Sequence, residues 1–165
     1  MFKKLSFVFL FASLVLATGC STPKKGSKSG VDLGSTPVDE RPLELNADSD
    51  SGKAGGIQTV FFDFNSSALR SDTRGVLEAN AEFLKANGSV EVQVEGHCDE
   101  RGGVQYNLAL GEKRAKAVKN YLVNLGVSSS RITTISLGKE RPIAFGHDED
   151  SWSQNRRGNF VITAK

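Results

Sequence analysis

The sequence predicts an α+β domain, with helices packed on one face of a mixed sheet and elements in the order β-α-β-α-β-β. Two observations carry this. The runs TVFFDF (59–64) and VEVQVEG (90–96) alternate apolar and polar residues with the period of a half-buried strand. Two other stretches, from Ser71 to Asn87 and from about Asn107 to Leu125, place apolar residues three and four positions apart, as a helix with one buried face does. At 165 residues with 38% hydrophobic content, the chain has material for one modest domain and extra segments, and no internal repeat divides it.

The extra segments come first. Lys3 and Lys4 precede an apolar run from Leu5 to Ala17, the pattern of a secretory leader over residues 1–19. At about 13 residues the run is too short to span a bilayer, which takes about 20. Without Lys3 and Lys4, the 21 basic residues fall to 19 against 19 acidic ones. That balance gives no support to nucleic-acid binding by bulk charge. The residues just before Cys20 resemble the lipobox of bacterial lipoproteins, although Ala17 stands where leucine is usual. The resemblance implies a diacylglycerol thioether and an N-acyl chain on Cys20, and Ser21 implies sorting to the outer membrane. At about 0.8 kcal/mol per buried methylene, three chains make a stable anchor. Residues 20–56 read as the lipidated end and a flexible tether: from Ser21 to Gly56 there is no aromatic residue, and Ser, Gly, Lys, Asp and Pro dominate. Such a coil spans about 30 to 36 Å on average. Stretched, it reaches about 120 Å.

The globular part is expected over residues 57–165. In its first strand Val60, Phe62 and Phe64 share a face; in the second, Val90, Val92 and Val94 point inward and Glu91, Gln93 and Glu95 outward. Between them Ser71 and Asp72 signal a helix start, Val76, Leu77, Asn80, Phe83 and Leu84 form its buried stripe, and Asn87-Gly88 ends it. The second helix carries Leu110, Ala117, Val118, Tyr121, Leu122 and Leu125 and stops at Gly126. ITTISLG (132–138) and NFVITA (159–164) supply the last strands.

Arg114 completes the stripe between Leu110 and Val118, four residues from each. A guanidinium on a core-facing stripe costs several kcal/mol unless it is paired, so a carboxylate is expected to meet it. The alternative is an arginine snorkelling at the helix edge. The run VEGHCDERGG (94–103) holds the remaining chemistry. Continued strand alternation puts Cys98 on the valine face and His97 on the Glu95 face, so the two side chains point apart and form neither a thiol-imidazole pair nor a chelate. His97 and Asp99 have the i,i+2 spacing of a metal pair in a strand, but His147 is the only other histidine, so no metal site is expected. With Cys20 lipidated, Cys98 has no disulfide partner in the chain and reads as a small buried residue. Asp99, Glu100, Arg101 and Gly102-Gly103 form a loop at the strand end, with Asp99 the natural partner for Arg114.

The run GHCDERGGVQYNLALGEKRAKAVKNYL resembles the OmpA-like peptidoglycan-binding domain in its Gly-His, the Asp two residues on, and the following Asn, Leu, Arg-Ala and Val. DERG with YN and LGEKRA, FFDF upstream, and GHDE with NRR downstream are more particular: they are similar to the peptidoglycan-associated lipoproteins of the Tol-Pal system. The likeness covers about residues 58–163. It implies that Asp99 and Arg114 grip meso-diaminopimelate of the peptidoglycan stem peptide, with Asn107 and Leu110 in support. Phe62 and Asp63 match a first-strand motif that presents backbone N–H groups to the ligand. Arg157 matches a position that attracts the stem peptide's carboxylates, with Arg156 an exposed scaffold residue. The distal end of diaminopimelate carries an ammonium and a carboxylate, which an acid beside a forked base complements. Cys98 stands where alanine or threonine is usual, and Asn65 where aspartate is frequent.

The function implied is non-catalytic: a lipid-anchored protein with its domain in the periplasm, binding peptidoglycan non-covalently, with TolB as a further partner and no cofactor. Two rivals remain at this point. One is an OmpA-like wall anchor with no Tol role; the other is a metal- or thiol-dependent wall hydrolase centred on His97, Cys98 and Asp99.

Overall fold

The computed structural model describes residues 43–165; the expected leader, the expected lipidation at Cys20 and the first part of the expected tether lie outside the described residues. The elements are β1 (Val60–Phe61), α1 (Ser71–Ala86), β2 (Glu91–His97), α2 (Val104–Asn124), a 3-10 turn (Ser129–Arg131), β3 (Ile132–Gly138), α3 (Glu149–Asn155) and β4 (Arg157–Ala164). The strands form one mixed sheet in the order β1-β4-β2-β3. β2 runs parallel to β3, and β4 runs antiparallel to both β1 and β2. This is the α+β layering the periodicities predict, with α3 added between the last two strands.

The core lies between α1, α2 and one face of the sheet. Val92 and Val94 of β2, Ile132 of β3, and Phe160 and Ile162 of β4 meet Leu77 and Leu84 of α1 and Val118 and Leu122 of α2, all of them buried. Burying each such side chain contributes about 1.5 to 3 kcal/mol. Two glycines set how closely α2 lies on the sheet. A Cβ on Gly96 would overlap the carbonyl oxygen of Gly111, and one on Gly111 would overlap Ser136 Oγ. Helix and strand backbones therefore touch, which brings the end of β2 against the first turns of α2.

Three expectations change. The tether does not run free to residue 56. Residues 46–49 lie along the edge of β4 beyond the two-residue β1: the amides of Asn46 and Ser49 donate to the carbonyls of Ile162 and Phe160, and Ile162 N–H donates to Ala47 O. Ala47, Ala54 and Ile57 are buried. This strap satisfies an edge that a short β1 leaves open. It also explains the second change. Glu95, expected in solvent, is buried because Asn159 donates to it at 3.0 Å while Asn159 itself accepts from Ser49 Oγ at 2.9 Å. Third, the alternation of the first strand ends at Phe62: Asn65 adopts a left-handed conformation at φ 52°, the chain reverses, and Phe64 is exposed instead of sharing the core face.

The helices start differently from the sequence signals. Ser71 makes no cap; Arg70 precedes α1, with Asp72 and Asp63 both holding its guanidinium. α2 begins three residues early, at Val104, after the extended Gly103. α3 is capped by Asp148, whose carboxylate accepts from Ser151 N–H at 2.9 Å.

Candidate functional site

At the C-terminal end of β2 the chain leaves the sheet through Cys98 to Gly103 and turns into α2. Between this loop, the first turns of α2 and the loop after β1 lies a cleft of about 180 Å³. Asp99, Asn107, Leu110 and Arg114 all line it, together with Phe64 and Arg101. Four of the seven expected site residues thus share one cleft.

Arg114 forms its floor. It is fully buried, as the stripe position requires, but no carboxylate among the described residues meets it. Its Nε donates to Ser66 O at 2.8 Å, Nη1 to His97 O at 2.7 Å and Nη2 to Asp63 O at 3.0 Å. Cys98 Sγ lies 3.4 Å from Nη1, and the Phe62 ring centroid 5.1 Å from the guanidinium carbon. Carbonyl dipoles turned inward by the 63–66 reversal do what an acid was expected to do. Burial holds the Arg114 pKa below its ordinary value despite nearby Cys98 and Asp99.

Asp99 is turned toward two other arginines. Its Oδ1 accepts from the Arg101 backbone N–H at 3.1 Å and from Nε at 3.2 Å; its Oδ2 accepts from Arg101 Nη2 at 2.6 Å and from Arg156 Nη1 at 3.3 Å. Burial works against the charged carboxylate, but these hydrogen bonds outweigh it and keep the pKa below the ordinary 3.8. The Arg101 guanidinium carbon lies over two rings, 4.0 Å from the centroid of Phe64 and 4.0 Å from that of Trp152. Asn107 donates to Arg101 O at 2.8 Å, and Lys139 Nζ donates to Glu100 O and Gly102 O, which together fix the loop.

The other expected residues sit elsewhere. Phe62 is buried beneath Arg114, and Asp63 offers Arg114 its carbonyl while its carboxylate accepts from Arg70 at 3.0 Å. Arg157 is away from the cleft: its Nε donates to Asp50 Oδ2 at 2.7 Å, so it pins the strap. Arg156, expected as exposed scaffold, is buried; it reaches Asp99 and Glu149 and donates to Phe62 O at 3.1 Å. The two neighbours exchange roles because adjacent residues entering a strand face opposite ways.

Cys98 and His97 do point apart. Cys98 Sγ donates to Asn107 O at 3.4 Å, and burial pushes its thiol up. His97 is buried on the other face with Nε2 3.5 Å from Glu95 Oε2, and neither ring nitrogen has a well-formed hydrogen bond. A protonated buried thiol with no base beside it is a poor nucleophile. Among the described residues, no three His, Cys, Asp or Glu side chains converge as metal ligands.

Arg101, Phe64 and Tyr106 also line the cleft, and Trp152 stacks on Arg101, although none of the four is among the expected site residues. Arg101 was legible in DERG, and Tyr106 in YN; Phe64 was masked by its place in an apparent strand, and Trp152 by belonging to a helix with no apolar stripe.

Comparison with known proteins places the whole arrangement. A model of the OmpA family matches residues 61–156. The peptidoglycan-associated lipoprotein of Pseudomonas aeruginosa is 41% identical over 162 residues, covering 95% of this chain and 96% of that protein. That of Pasteurella multocida is 38% identical over 156 residues, covering 94% and 96%. Among solved structures, the peptidoglycan-associated lipoprotein from Burkholderia pseudomallei superposes with a TM-score of 0.62 at 45% identity, over 64% of this chain and 89% of that one. The C-terminal domain of Helicobacter pylori MotB reaches the same TM-score of 0.62 at 23% identity, over 67% of this chain and 87% of that one, a likeness of fold alone. The chain belongs to the OmpA family and, within it, to the peptidoglycan-associated lipoproteins.

Proposed function

We propose that the protein is an outer-membrane lipoprotein whose periplasmic domain binds peptidoglycan non-covalently, by the diaminopimelate of the stem peptide, and so ties membrane to wall within the Tol-Pal system. One observation carries the reading: the acid Asp99, the cation Arg101 and the buried charge of Arg114 converge on a single cleft with apolar sides. Phe64 and Leu110 suit the methylene chain of diaminopimelate, and the charged groups suit its zwitterionic end. The depressed pKa of Asp99 keeps it anionic at ordinary pH. The names of the relatives support wall association. A lipid anchor on Cys20 and an interaction with TolB rest on the sequence resemblance.

The test is calorimetric titration of the purified chain with a stem peptide containing meso-diaminopimelate. Binding is expected to ignore chelator and to weaken at least tenfold in Asp99→Asn, because losing one partner of a buried charge pair removes about 1.5 to 3 kcal/mol. A parallel thermal melt separates lost binding from lost folding. Binding that needs metal, or survives the substitution unchanged, would refute the cleft as the wall site.

A further inference from the structure

Asp50 lies in the strap, outside the cleft, yet it holds a buried charge at the start of β4. Its Oδ2 accepts from Arg157 Nε at 2.7 Å and its Oδ1 from Thr59 Oγ1 at 2.8 Å. The Arg157 side chain is 3% exposed, and Asp50 is the carboxylate paired with it among the described residues. Its one further hydrogen bond runs from Nη2 to Arg141 O at 3.2 Å, and Nη1 has no partner. A buried guanidinium so thinly supplied cannot lose its carboxylate and keep its place.

That place adjoins the cleft. Arg157 shares a peptide bond with Arg156, whose Nη1 donates to Asp99 Oδ2 at 3.3 Å and whose Nε donates to Phe62 O at 3.1 Å. A second line runs from the strap to the cleft floor. Asn159 Oδ1 accepts from Ser49 Oγ at 2.9 Å and from the Asp50 amide at 3.1 Å, while Asn159 Nδ2 donates to Glu95 Oε2 at 3.0 Å. The same Glu95 oxygen lies 3.5 Å from His97 Nε2, and His97 O accepts from Arg114 Nη1 at 2.7 Å. Asn159, Glu95 and His97 are all buried. Lifting the strap takes two donors from Asn159 and takes Ser49 Oγ from the Phe160 N–H that donates to it at 2.9 Å.

The strap is also the part most easily lifted. Three main-chain hydrogen bonds join it to β4, and its buried apolar residues are Ala47, Ala54 and Ile57. Segments with so few apolar contacts open locally at low cost.

Resting on the wall-binding reading, we propose that strap and cleft are interlocked, with Asp50 a positioning residue for Asp99 that acts through Arg157 and Arg156. Docked, the strap holds the start of β4 and so sets the acid of the cleft. Detached, it leaves Arg157 to seek another partner, lets Arg156 shift with it and weakens wall binding. Linkage makes the effect mutual, so an occupied cleft fastens the strap. Detachment also releases residues 46–57, which add up to about 40 Å to the reach of the chain before them. A longer reach is thereby coupled to a weaker hold.

The experiment follows amide hydrogen exchange of the purified chain by NMR, free and saturated with a stem peptide containing meso-diaminopimelate. Calorimetry measures the affinity of that peptide for wild type, Asp50→Ala and Asp50→Glu. Strap amides exchange by local opening, so a bound peptide slows them only if strap and cleft are linked. The Asn46 and Ser49 amides, which donate to β4 carbonyls, should exchange about 5- to 10-fold more slowly with peptide bound, the low end of the range for coupled sites. Asp50→Ala should weaken peptide binding by about the same factor, as reciprocity requires, and Asp50→Glu, which restores the carboxylate, should bind within about twofold of wild type. Strap exchange that saturating peptide leaves unchanged would overturn the interlock while leaving wall binding in place, whether or not Asp50→Ala folds. An Asp50→Ala chain that folds and binds as wild type does would overturn it equally. Failure of wild type to bind the peptide would remove the wall-binding reading and this inference with it.

Discussion

Replacing Arg114 with alanine tests whether a buried cation held by carbonyls supports the fold. The guanidinium is fully buried and donates to His97 O, Ser66 O and Asp63 O at 2.7, 2.8 and 3.0 Å. Each hydrogen bond from a charged donor contributes about 1.5 to 3 kcal/mol. Ser66 O and Asp63 O belong to a partly exposed loop and regain water, so they count for less than His97 O. The net loss is about 3 to 5 kcal/mol, against a typical domain stability of about 5 to 15. For a domain of this size that lowers the melting temperature by about 10 to 20 °C. The assay is thermal unfolding followed by circular dichroism, with Arg114→Lys beside it; one ammonium cannot span three carbonyls, so lysine should recover less than half the loss. A fall of under about 2 °C in Arg114→Ala would refute the reasoning and make Arg114 dispensable to the free fold.

Two further expectations are independent of it. Cys98→Ala should leave stem-peptide affinity within about twofold and cost about 1 kcal/mol of stability, since it removes a small buried group; in a Cys20→Ser background the thiol should react with a thiol reagent only as the domain unfolds. His147 is exposed, and its Nδ1 lies 2.7 Å from Glu100 Oε1, an interaction that raises the imidazole pKa above the ordinary 6.5. A group whose folded pKa is raised lends stability that is complete below about pH 6.5 and lost as pH climbs through the folded value. The NMR titration midpoint of His147 should therefore return toward the ordinary value in Glu100→Gln; a midpoint that does not move would refute the pairing.

Periodicity made most of the fold legible. β2 and β3 and the stripes of α1 and α2 lie where alternation and helical spacing put them, because each buries one face against a common core. α3 was not legible, since EDSWSQN is seven residues with a single large apolar side chain. The strap escaped because its composition is that of a disordered linker. What docks it is backbone pairing to β4, Ser49 on Asn159, Asp50 on Arg157 and the buried Ala47, Ala54 and Ile57, none of which leaves a periodic signal. At the site, spacing revealed that Arg114 is buried but not what satisfies it. Main-chain carbonyls satisfy a buried cation as an acid would and leave no trace in side-chain spacing, while Asp99 pairs with the nearer Arg101 and with Arg156.

The position of the strap fixes how the domain bears a pull. Asn46 joins β4 at Ile162, near the strand's C-terminal end, whereas Asp99 and Arg156 lie at the other end, where β2 finishes and β4 begins. β4 is eight residues long, about 26 Å at the usual rise. Tension entering at residue 43 and resisted at the cleft therefore runs along the strands. It loads the strap's hydrogen bonds in shear, all at once, where a pull across the sheet would unzip them singly. Asp50 bound to Arg157 adds a rivet at the cleft end of the same line. On the proposed wall-binding reading, a domain pulled from residue 43 resists being peeled from its own N-terminal chain for as long as the cleft holds the wall.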